Sequence, residues 1–311
     1  AIDKVLIQFA LGKALEDDGR FAESFQNYQA ANSGYAKIRP FRYSTHNTKL
    51  KAFFTPDYFS VQKESGSASD APIFIVGLPR SGSTLVEQIL TGHSEVDATR
   101  ELAGINSIVR DLINPNLSAQ EQYPQSLANL SATQIQDLAQ RYLDYAQAYR
   151  QQARHFVDKA PPNFHHIGFI KTLFPNARII DIRRNPMASG WSLYRHFFAE
   201  SFLFTYDLKT IGKYYNDYID LMDHWHSVLP KQILTISYEN LVNDLPSAVD
   251  ELLQYCGLPF EQSCLDFHLN KRAVATPSSE QVRRPIYAEA LEHWKNYDEF
   301  LTPLKNAIGN T

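Results

Sequence analysis

Residues 72–85 read PIFIVGLPRSGSTL, a sequence typical of a buried strand that leads through a turn into a helix. Four apolar residues, 73–76, are typical of a buried strand, and a Gly-Leu-Pro-Arg-Ser-Gly turn follows them. Ser83 and Thr84 then open a helical segment. Backbone N–H groups of such a turn and of the first helical turn converge on one point, where the helix dipole also favours negative charge. The stretch therefore predicts an anion site at the end of a buried strand.

Further strands and helices alternate along the rest of the chain. Strands are predicted at residues 73–76, 156–157, 178–182 and 233–236. The clearest helices are predicted at residues 84–90, 135–152, 187–198 and 209–228. Short apolar strands separated by helices predict an α/β domain, with a P-loop-like parallel sheet flanked by helices.

Residues 1–35 predict a helical hairpin that turns at residues 17–20. Its pattern of Gly, Tyr and Ala residues resembles a tetratricopeptide repeat. A single hairpin cannot bury both of its faces, so we expect the last of several repeats, with a surface for a partner. Residues 64–70 are small and polar, as in a linker. We therefore predict a repeat remnant with a connecting helix at 1–63 and an α/β domain at 71–311.

The overall composition narrows the classes of function. A formal net charge of −4 argues against a nucleic-acid binder. No apolar run approaches the roughly 18–20 residues that span a bilayer. The two cysteines, Cys256 and Cys264, have no metal-ligand company, and no cluster of His, Cys, Asp and Glu suggests a metal. Two buried reduced thiols are favoured, and a disulfide between them stays an alternative. Reduced thiols predict a reducing compartment such as the cytoplasm.

The spacing of Gly77 and Gly82 matches the Walker pattern G-x-x-x-x-G-K-[ST] with one difference. Ser83 stands where the Walker lysine would reach the β- and γ-phosphates of a nucleoside triphosphate, and Arg80 supplies a cation from within the turn instead. Ordinary triphosphate chemistry is therefore disfavoured. A P-loop kinase or nucleotide phosphotransferase, with Asp181 as its acidic residue, stays an alternative, as does a non-catalytic scaffold that bears the repeat.

A second basic element follows the predicted strand at residues 178–182. Residues 183–186 read RRNP, and the helix that begins at Pro186 carries Ser189 and Ser192. Arginine at a strand exit and serine in the next helix can hold a phosphate together. We therefore predict a second anion-binding element here.

Residues 79–85, PRSGSTL, resemble the 5′-phosphosulfate loop of sulfotransferases. The similarity is greatest to the branch with protein-tyrosine sulfotransferases and bacterial sulfotransferases that carry tetratricopeptide repeats. With the elements below, the resemblance covers roughly residues 72–300. It implies 3′-phosphoadenosine 5′-phosphosulfate (PAPS) as donor, PAP as product and no metal. The residues implied to hold the 5′-phosphosulfate are Arg80, Ser81, Gly82, Ser83 and Thr84.

The same resemblance assigns further donor contacts. The 3′-phosphate falls to Arg184 and Ser192, whose separation of eight residues fits the family pattern better than that of Arg183. Tyr238 matches a position that contacts adenine. Residues 278–294 resemble a loop that closes over the nucleotide. In it, Arg283 and Arg284 add phosphate-binding charge and Ser278 a hydroxyl near the leaving group.

Sulfuryl transfer needs a base for the acceptor's proton and a cation for the leaving oxygen. Glu101 is the candidate base, because it follows the phosphate-loop helix where the family carries its catalytic glutamate. Glu87 and Glu95 are alternatives, and His93 is a weaker one that we leave out of the catalytic set. Lys159, in a Lys-x-Pro element that the family shares, is assigned to the leaving oxygen, and Arg80 is also expected to contact the sulfuryl group.

The acceptor is the least defined element. Residues 202–206 read FLFTY, and their aromatic side chains lack a clean period, which favours a role in an apolar acceptor cleft. The repeat and the resemblance to protein-tyrosine sulfotransferases favour a protein or peptide hydroxyl, tyrosine first. Glycans and small hydroxylated molecules stay open.

Overall fold

The computed structural model describes residues 2–43, 46–62, 65–99, 101–113, 122–270 and 289–309. The chain divides into two compact units, and each unit is made of segments that are not consecutive in the sequence. The hairpin unit consists of Ala1–Ser44, Arg184–Asp220 and Tyr287–Thr311. The sheet unit consists of Thr45–Arg183 and Leu221–Ile286. The predicted boundary at residues 63 and 71 stays a prediction.

A parallel sheet forms the core of the sheet unit. Its described strands are β1 (Pro72–Gly77), β2 (Val96–Ala98), β3 (His155–Lys159), β4 (Arg178–Arg183) and β5 (Ile233–Ser237). They lie in the order β2-β3-β1-β4-β5, and every pair is parallel. The chain therefore builds one side of β1 first and then the other. Such a reversal of strand order opens a crevice at the carboxyl ends of the strands, here beside Gly77.

The helices are, in chain order, α1 (Ile2–Asp17), α2 (Phe21–Ile38), α3 (His46–Phe53), α4 (Pro56–Gln62), α5 (Ser83–Leu90), α6 (Gly104–Asp111), α7 (Ala132–Gln147), α8 (Ile167–Leu173), α9 (Pro186–Tyr194), α10 (Leu208–Val228), α11 (Tyr238–Asn243), α12 (Leu245–Cys256), α13 (Glu289–Glu292) and α14 (Thr302–Ile308). Short 3₁₀ segments complete the described structure at Gln125–Asn129, Pro161–His166, Leu203–Tyr206, Gln262–Cys264, Phe267–Leu269 and His293–Phe300.

Helices cover both faces of β1, because successive strand residues point to opposite sides. Ile73 and Ile75 share one apolar cluster with α5 and α12. Phe74 faces the other side, where its ring centroid lies 5.7 Å from that of Tyr142 on α7. All six residues of β1 are buried. The predicted α/β fold with a parallel sheet, flanking helices and an N-terminal helical hairpin is confirmed.

An aromatic core holds the hairpin unit together. Trp191 of α9 lies 3.9 Å from Tyr297 and 5.7 Å from Tyr28 of α2, measured between ring centroids. Phe204 and Tyr206 belong to the same core and are each only 3% exposed. These two side chains therefore fill the core of the hairpin unit, which corrects the cleft prediction for Phe204 and Tyr206. Phe202 and Leu203 are only partly buried, and a cleft role for them stays a prediction.

The two cysteines of the sheet unit are buried and unbridged. Burial raises the pKa of the Cys256 thiol to about 12 and that of the Cys264 thiol to about 11. Neither thiol is therefore ionised near neutral pH. In the part of the chain that the structure describes, no helix combines the length and apolar character that crossing a membrane requires.

Candidate active site

The donor loop, which we define as residues 77–84, joins β1 to α5 through three left-handed residues. They are Gly77 with φ 142°, Arg80 with φ 67° and Gly82 with φ 108°. A Cβ on Gly77 would lie 2.6 Å from the carbonyl oxygen of Ile182, so only glycine lets the loop run this close to β4. Arg80 holds its conformation at a cost of about 1–2 kcal/mol. Strain of this kind is found at functional sites more often than elsewhere.

Ser81 supplies the clearest sign that the donor loop is built for a ligand. Its Oγ is buried and has no hydrogen-bond partner among the described residues. Buried hydroxyls are normally satisfied, so an orphaned one points to a group that the protein alone does not provide. Ser83 and Thr84 are also buried, at the beginning of α5, where the helix dipole favours an anion. This donor set fits the 5′-phosphosulfate of PAPS.

Tyr238 lies directly against the donor loop. A Cβ on Gly82 would meet the Tyr238 ring at 2.5 Å. Tyr238 begins α11 immediately after β5, and Ser237 caps that helix by accepting a hydrogen bond from Asn240 N at 3.3 Å. The residue is half-buried. The position is compatible with the predicted adenine contact, which stays a prediction.

Glu101 and Lys159, the predicted base and the predicted cation, lie side by side. Lys159 ends β3 in register with Ile75 of β1, two residues before Gly77. Its ammonium donates to Oε1 of Glu101 at 2.5 Å. The Lys159 side chain is 3% exposed and that of Glu101 is 55% exposed. A buried cation and an accessible carboxylate thus meet at the edge of the sheet that carries the donor loop.

Asp158 is a buried carboxyl beside this pair that was not among the predicted site residues. It precedes Lys159 in β3 and is fully buried. Its Oδ2 accepts from the Tyr142 hydroxyl at 2.8 Å, and its Oδ1 from the Leu102 amide at 3.3 Å. Burial raises the pKa of Asp158 to about 7, although the two hydrogen bonds oppose the shift. The available signal was an aspartate directly after the apolar residues Phe156 and Val157, because carboxylates are rarely buried without a partner.

The alternative bases are placed differently. His93 is 2% exposed. Its Nδ1 accepts from the Glu95 amide at 3.0 Å, and its Nε2 therefore donates to Pro259 O, also at 3.0 Å. These bonds engage both ring nitrogens in local structure, and the exclusion of His93 from the catalytic set stays a prediction. Glu87 is buried in α5, at 8% exposure.

The second anion element has a structural arginine at its start. Arg183 Nε donates to Oδ2 of Asp181 at 2.7 Å, and Asp181 is fully buried. The Asp181 carboxylate is therefore engaged in an ion pair with Arg183. This pair argues against Asp181 as the acidic residue of a P-loop kinase. Asn185 caps α9 by accepting from the amides of Met187 and Ala188 at 3.0 and 3.1 Å.

Arg184 and Ser192 belong to the hairpin unit. Ser192 and Ser189 are buried on α9, and Ser189 Oγ has no hydrogen-bond partner among the described residues. The assignment of the 3′-phosphate to Arg184 and Ser192 stays a prediction. Three other predicted residues, Ser278, Arg283 and Arg284, lie outside the described residues. Within the described ranges, no group of three or more His, Cys, Asp and Glu residues is arranged to hold a metal ion.

A family model described as the sulfotransferase family matches residues 72–262. The chain belongs to this family. The match begins at the first residue of β1 and spans the donor loop, Glu101, Lys159 and Tyr238. The loop that the sequence singled out is therefore part of the region that defines family membership.

Relatives within the sulfotransferase family differ in length. An uncharacterized protein of Aquifex aeolicus (strain VF5) is 34% identical over 306 residues, which cover 95% of this chain and 40% of that protein. Protein-tyrosine sulfotransferase A of Caenorhabditis elegans is 25% identical over 272 residues, which cover 81% of this chain and 71% of that enzyme. The chain thus spans less than half the length of the Aquifex relative.

The fold is also similar to that of a solved sulfotransferase. The sulfotransferase domain from the curacin biosynthetic pathway superposes with a TM-score of 0.51 at 20% identity, covering 74% of this chain and 92% of that domain. At this identity the likeness shows the fold alone.

Proposed function

We propose that the protein transfers a sulfuryl group from PAPS to an acceptor hydroxyl and releases PAP. The observation that carries the proposal is the donor loop, which has an orphaned buried hydroxyl at Ser81 and no Walker lysine. The Glu101–Lys159 pair lies at the same edge of the sheet. Membership of the sulfotransferase family supports the proposal.

The residues of the donor loop would hold the 5′-phosphosulfate of PAPS. The guanidinium of Arg80, the hydroxyls of Ser81, Ser83 and Thr84, and the amides at the beginning of α5 supply the donors. Gly82 lets the backbone approach the phosphate. In this proposal Arg184 and Ser192 bind the 3′-phosphate and Tyr238 contacts adenine. The resemblance adds Ser278, Arg283 and Arg284.

The reaction is a displacement at sulfur. Bound PAPS supplies the sulfuryl group, whose bond to the bridging phosphate oxygen breaks as a bond to the acceptor oxygen forms. Glu101 takes the proton of the acceptor hydroxyl, and its half-exposed side chain is reachable from solvent. Lys159 donates to the bridging oxygen and offsets the charge that gathers on PAP. An ammonium carries three donors, so the bond to Glu101 is compatible with this second bond.

Calorimetric titration and thermal unfolding with two nucleotides test the donor class. PAP without metal should bind in the titration and raise the melting temperature, and ATP with Mg²⁺ should do neither. The reverse result would favour a P-loop phosphotransferase. PAP binding without transfer from labelled PAPS to any acceptor offered would favour the non-catalytic scaffold.

For the acceptor, the proposal is a protein or peptide hydroxyl, with tyrosine first. The likeness to protein-tyrosine sulfotransferase A and the repeat-like hairpin support it. The protein would belong to the bacterial branch that carries tetratricopeptide repeats, and its unbridged cysteines suit a reducing cytoplasm. Labelled PAPS should be offered acidic tyrosine peptides, simple phenols and oligosaccharides. Transfer to oligosaccharides alone would overturn the peptide proposal and leave the donor chemistry intact.

A further inference from the structure

We propose that Asp158 is a positioning residue for Glu101. Its carboxylate holds the backbone of Leu102 and thereby keeps the Glu101 side chain against Lys159. This inference rests on the proposed function, in which Glu101 is the base. It assigns a role to a residue that would not itself touch donor or acceptor.

The path of the chain around Glu101 carries the argument. After β2, Thr99 donates to Val157 O from its amide at 3.3 Å and from its hydroxyl at 2.7 Å. Leu102 then donates its amide to Asp158 Oδ1 at 3.3 Å. The residues on either side of Glu101 are therefore attached to two consecutive residues of β3. Lys159, the partner of Glu101, is the next residue of the same strand.

A side chain is needed for this attachment because the strand ladder has already ended. β2 stops at Ala98, and its last register partner on β3 is Val157. Asp158 continues the pairing beyond that point with a carboxylate oxygen. Glu101 itself is 55% exposed, so packing does little to fix its position. The hydrogen bond at Leu102 therefore fixes the backbone next to Glu101, and the ion pair to Lys159 fixes the Glu101 carboxylate.

Tyr142 holds Asp158 from the other side. Its hydroxyl donates to Asp158 Oδ2 at 2.8 Å, so both carboxylate oxygens have a donor. The ring also packs against the first residue of α6, because a Cβ on Gly104 would lie 2.9 Å from Tyr142. Gly104 is only two residues beyond Leu102. Tyr142 of α7 thus contacts both the Asp158 carboxylate and the backbone that follows Glu101.

A cycle of variants separates positioning from other roles. Asp158→Ala should lower kcat about 10- to 100-fold, the scale of a small misplacement of a reacting group, and leave PAP affinity within about twofold. Asp158→Asn keeps an acceptor for Leu102 and, with its amide donating to Tyr142, should stay within about threefold of the wild-type kcat. In the Glu101→Gln variant, adding Asp158→Ala should not lower kcat any further. Asp158→Leu replaces Asp158→Ala if that variant does not fold.

Amide hydrogen exchange gives a readout that does not depend on turnover. The Leu102 amide should exchange about tenfold faster in Asp158→Ala than in the wild type, and Asp158→Asn should restore its protection. Kinetics would use labelled PAPS with whichever acidic tyrosine peptide, phenol or oligosaccharide the wild type accepts. A wild type that transfers to none of them refutes the proposed function. An active wild type whose Asp158→Ala variant keeps its kcat, or loses activity additively with Glu101→Gln, refutes the positioning role.

Discussion

A Cβ atom on Gly82 would lie 2.5 Å from Cδ2 of Tyr238, closer than two non-bonded carbon atoms approach. The glycine belongs to the donor loop after β1, and the tyrosine begins α11 after β5, the last described strand along the chain. Their contact joins the predicted 5′-phosphosulfate loop to the predicted adenine contact within one compact unit. The absence of a side chain at residue 82 is therefore required by this neighbour as well as by the left-handed backbone.

Gly82→Ala should damage both the donor loop and its ligand binding. The added methyl meets the Tyr238 ring, and its φ of 108° is one that side chains rarely adopt. We expect a loss of about 1–3 kcal/mol in unfolding free energy, the usual cost of such backbone strain, and weaker PAP binding in calorimetry. Gly19→Ala is the control, because Gly19 has φ 73° but nothing within 4 Å of the added atom. Unchanged PAP affinity in Gly82→Ala would contradict the placement of the phosphosulfate.

Arg80→Ala and Arg184→Ala should each weaken PAP binding by roughly 1.5–3 kcal/mol, the contribution of a charged hydrogen bond. Both variants should keep the fold. Arg154→Ala is the control, since that arginine forms an exposed pair with Asp70 and its side chain is 63% exposed. Calorimetry on the three variants decides the assignments separately. If Arg184→Ala binds PAP like the wild type, the assignment of the 3′-phosphate to Arg184 is wrong.

The sequence predicted the fold where local patterns are strong. The four predicted strands all lie within observed strands, because their apolar runs end in clear turn signals. β2 was missed, since Val96–Ala98 has three residues and pairs only with β3 at the edge of the sheet. The helix predicted to reach residue 152 ends at Gln147. Beyond it, Asp97 accepts hydrogen bonds from the amides of Gln151 and Ala153 at 2.8 and 3.2 Å, a contact that no helical period records.

The candidate site was predictable where one segment carries the chemistry. The preceding apolar strand, the glycines and Arg80 all lie within residues 72–85, and together they indicate the donor loop. Asp158 could not be assigned a role in this way. Its partners Tyr142 and Leu102 lie 16 and 56 residues away in the chain. They meet at Asp158 only because α7 and the segment after β2 both pack beside β3.

Glu101→Gln should lower kcat about 10²- to 10⁴-fold, because an amide cannot accept the proton of the acceptor hydroxyl. The affinity for PAP should stay close to that of the wild type, since in the proposed mechanism Glu101 acts on the acceptor and does not bind the donor. Glu251→Gln, an exposed substitution on α12, is the matched control and should leave both quantities unchanged. A Glu101→Gln variant with more than about a tenth of wild-type turnover would mean that another group is the base.

Asp158→Asn should stabilise the protein more at high pH than at low pH. Burial raises the pKa of Asp158 from the ordinary carboxyl range to about 7, so the folded protein retains a proton that the unfolded chain has released. Between about pH 4 and pH 7 the wild type therefore loses stability through this group, whereas asparagine has no proton to lose. Urea unfolding of both proteins at about pH 5 and pH 8 should give a difference that grows with pH, at about 1.4 kcal/mol for each unit of pKa. A difference that does not change with pH would show that Asp158 ionises as readily as in the unfolded chain.

Glu16→Gln should destabilise the hairpin unit through the loss of a buried ion pair. The Glu16 side chain is 4% exposed and accepts from Arg195 Nη1 at 2.5 Å, at the end of α9, and from the Tyr297 hydroxyl at 3.0 Å. Glutamine keeps an acceptor but leaves the Arg195 charge without its partner, in a site where the arginine side chain is only 24% exposed. We expect a loss of about 3 kcal/mol in unfolding free energy, the lower end for breaking a buried pair. Asp17→Asn breaks the exposed pair with Lys13 on the same helix and should cost less than about 1 kcal/mol. Urea unfolding of the two variants measures the contrast, and equal losses would mean that the Glu16 pair contributes no more than a surface contact.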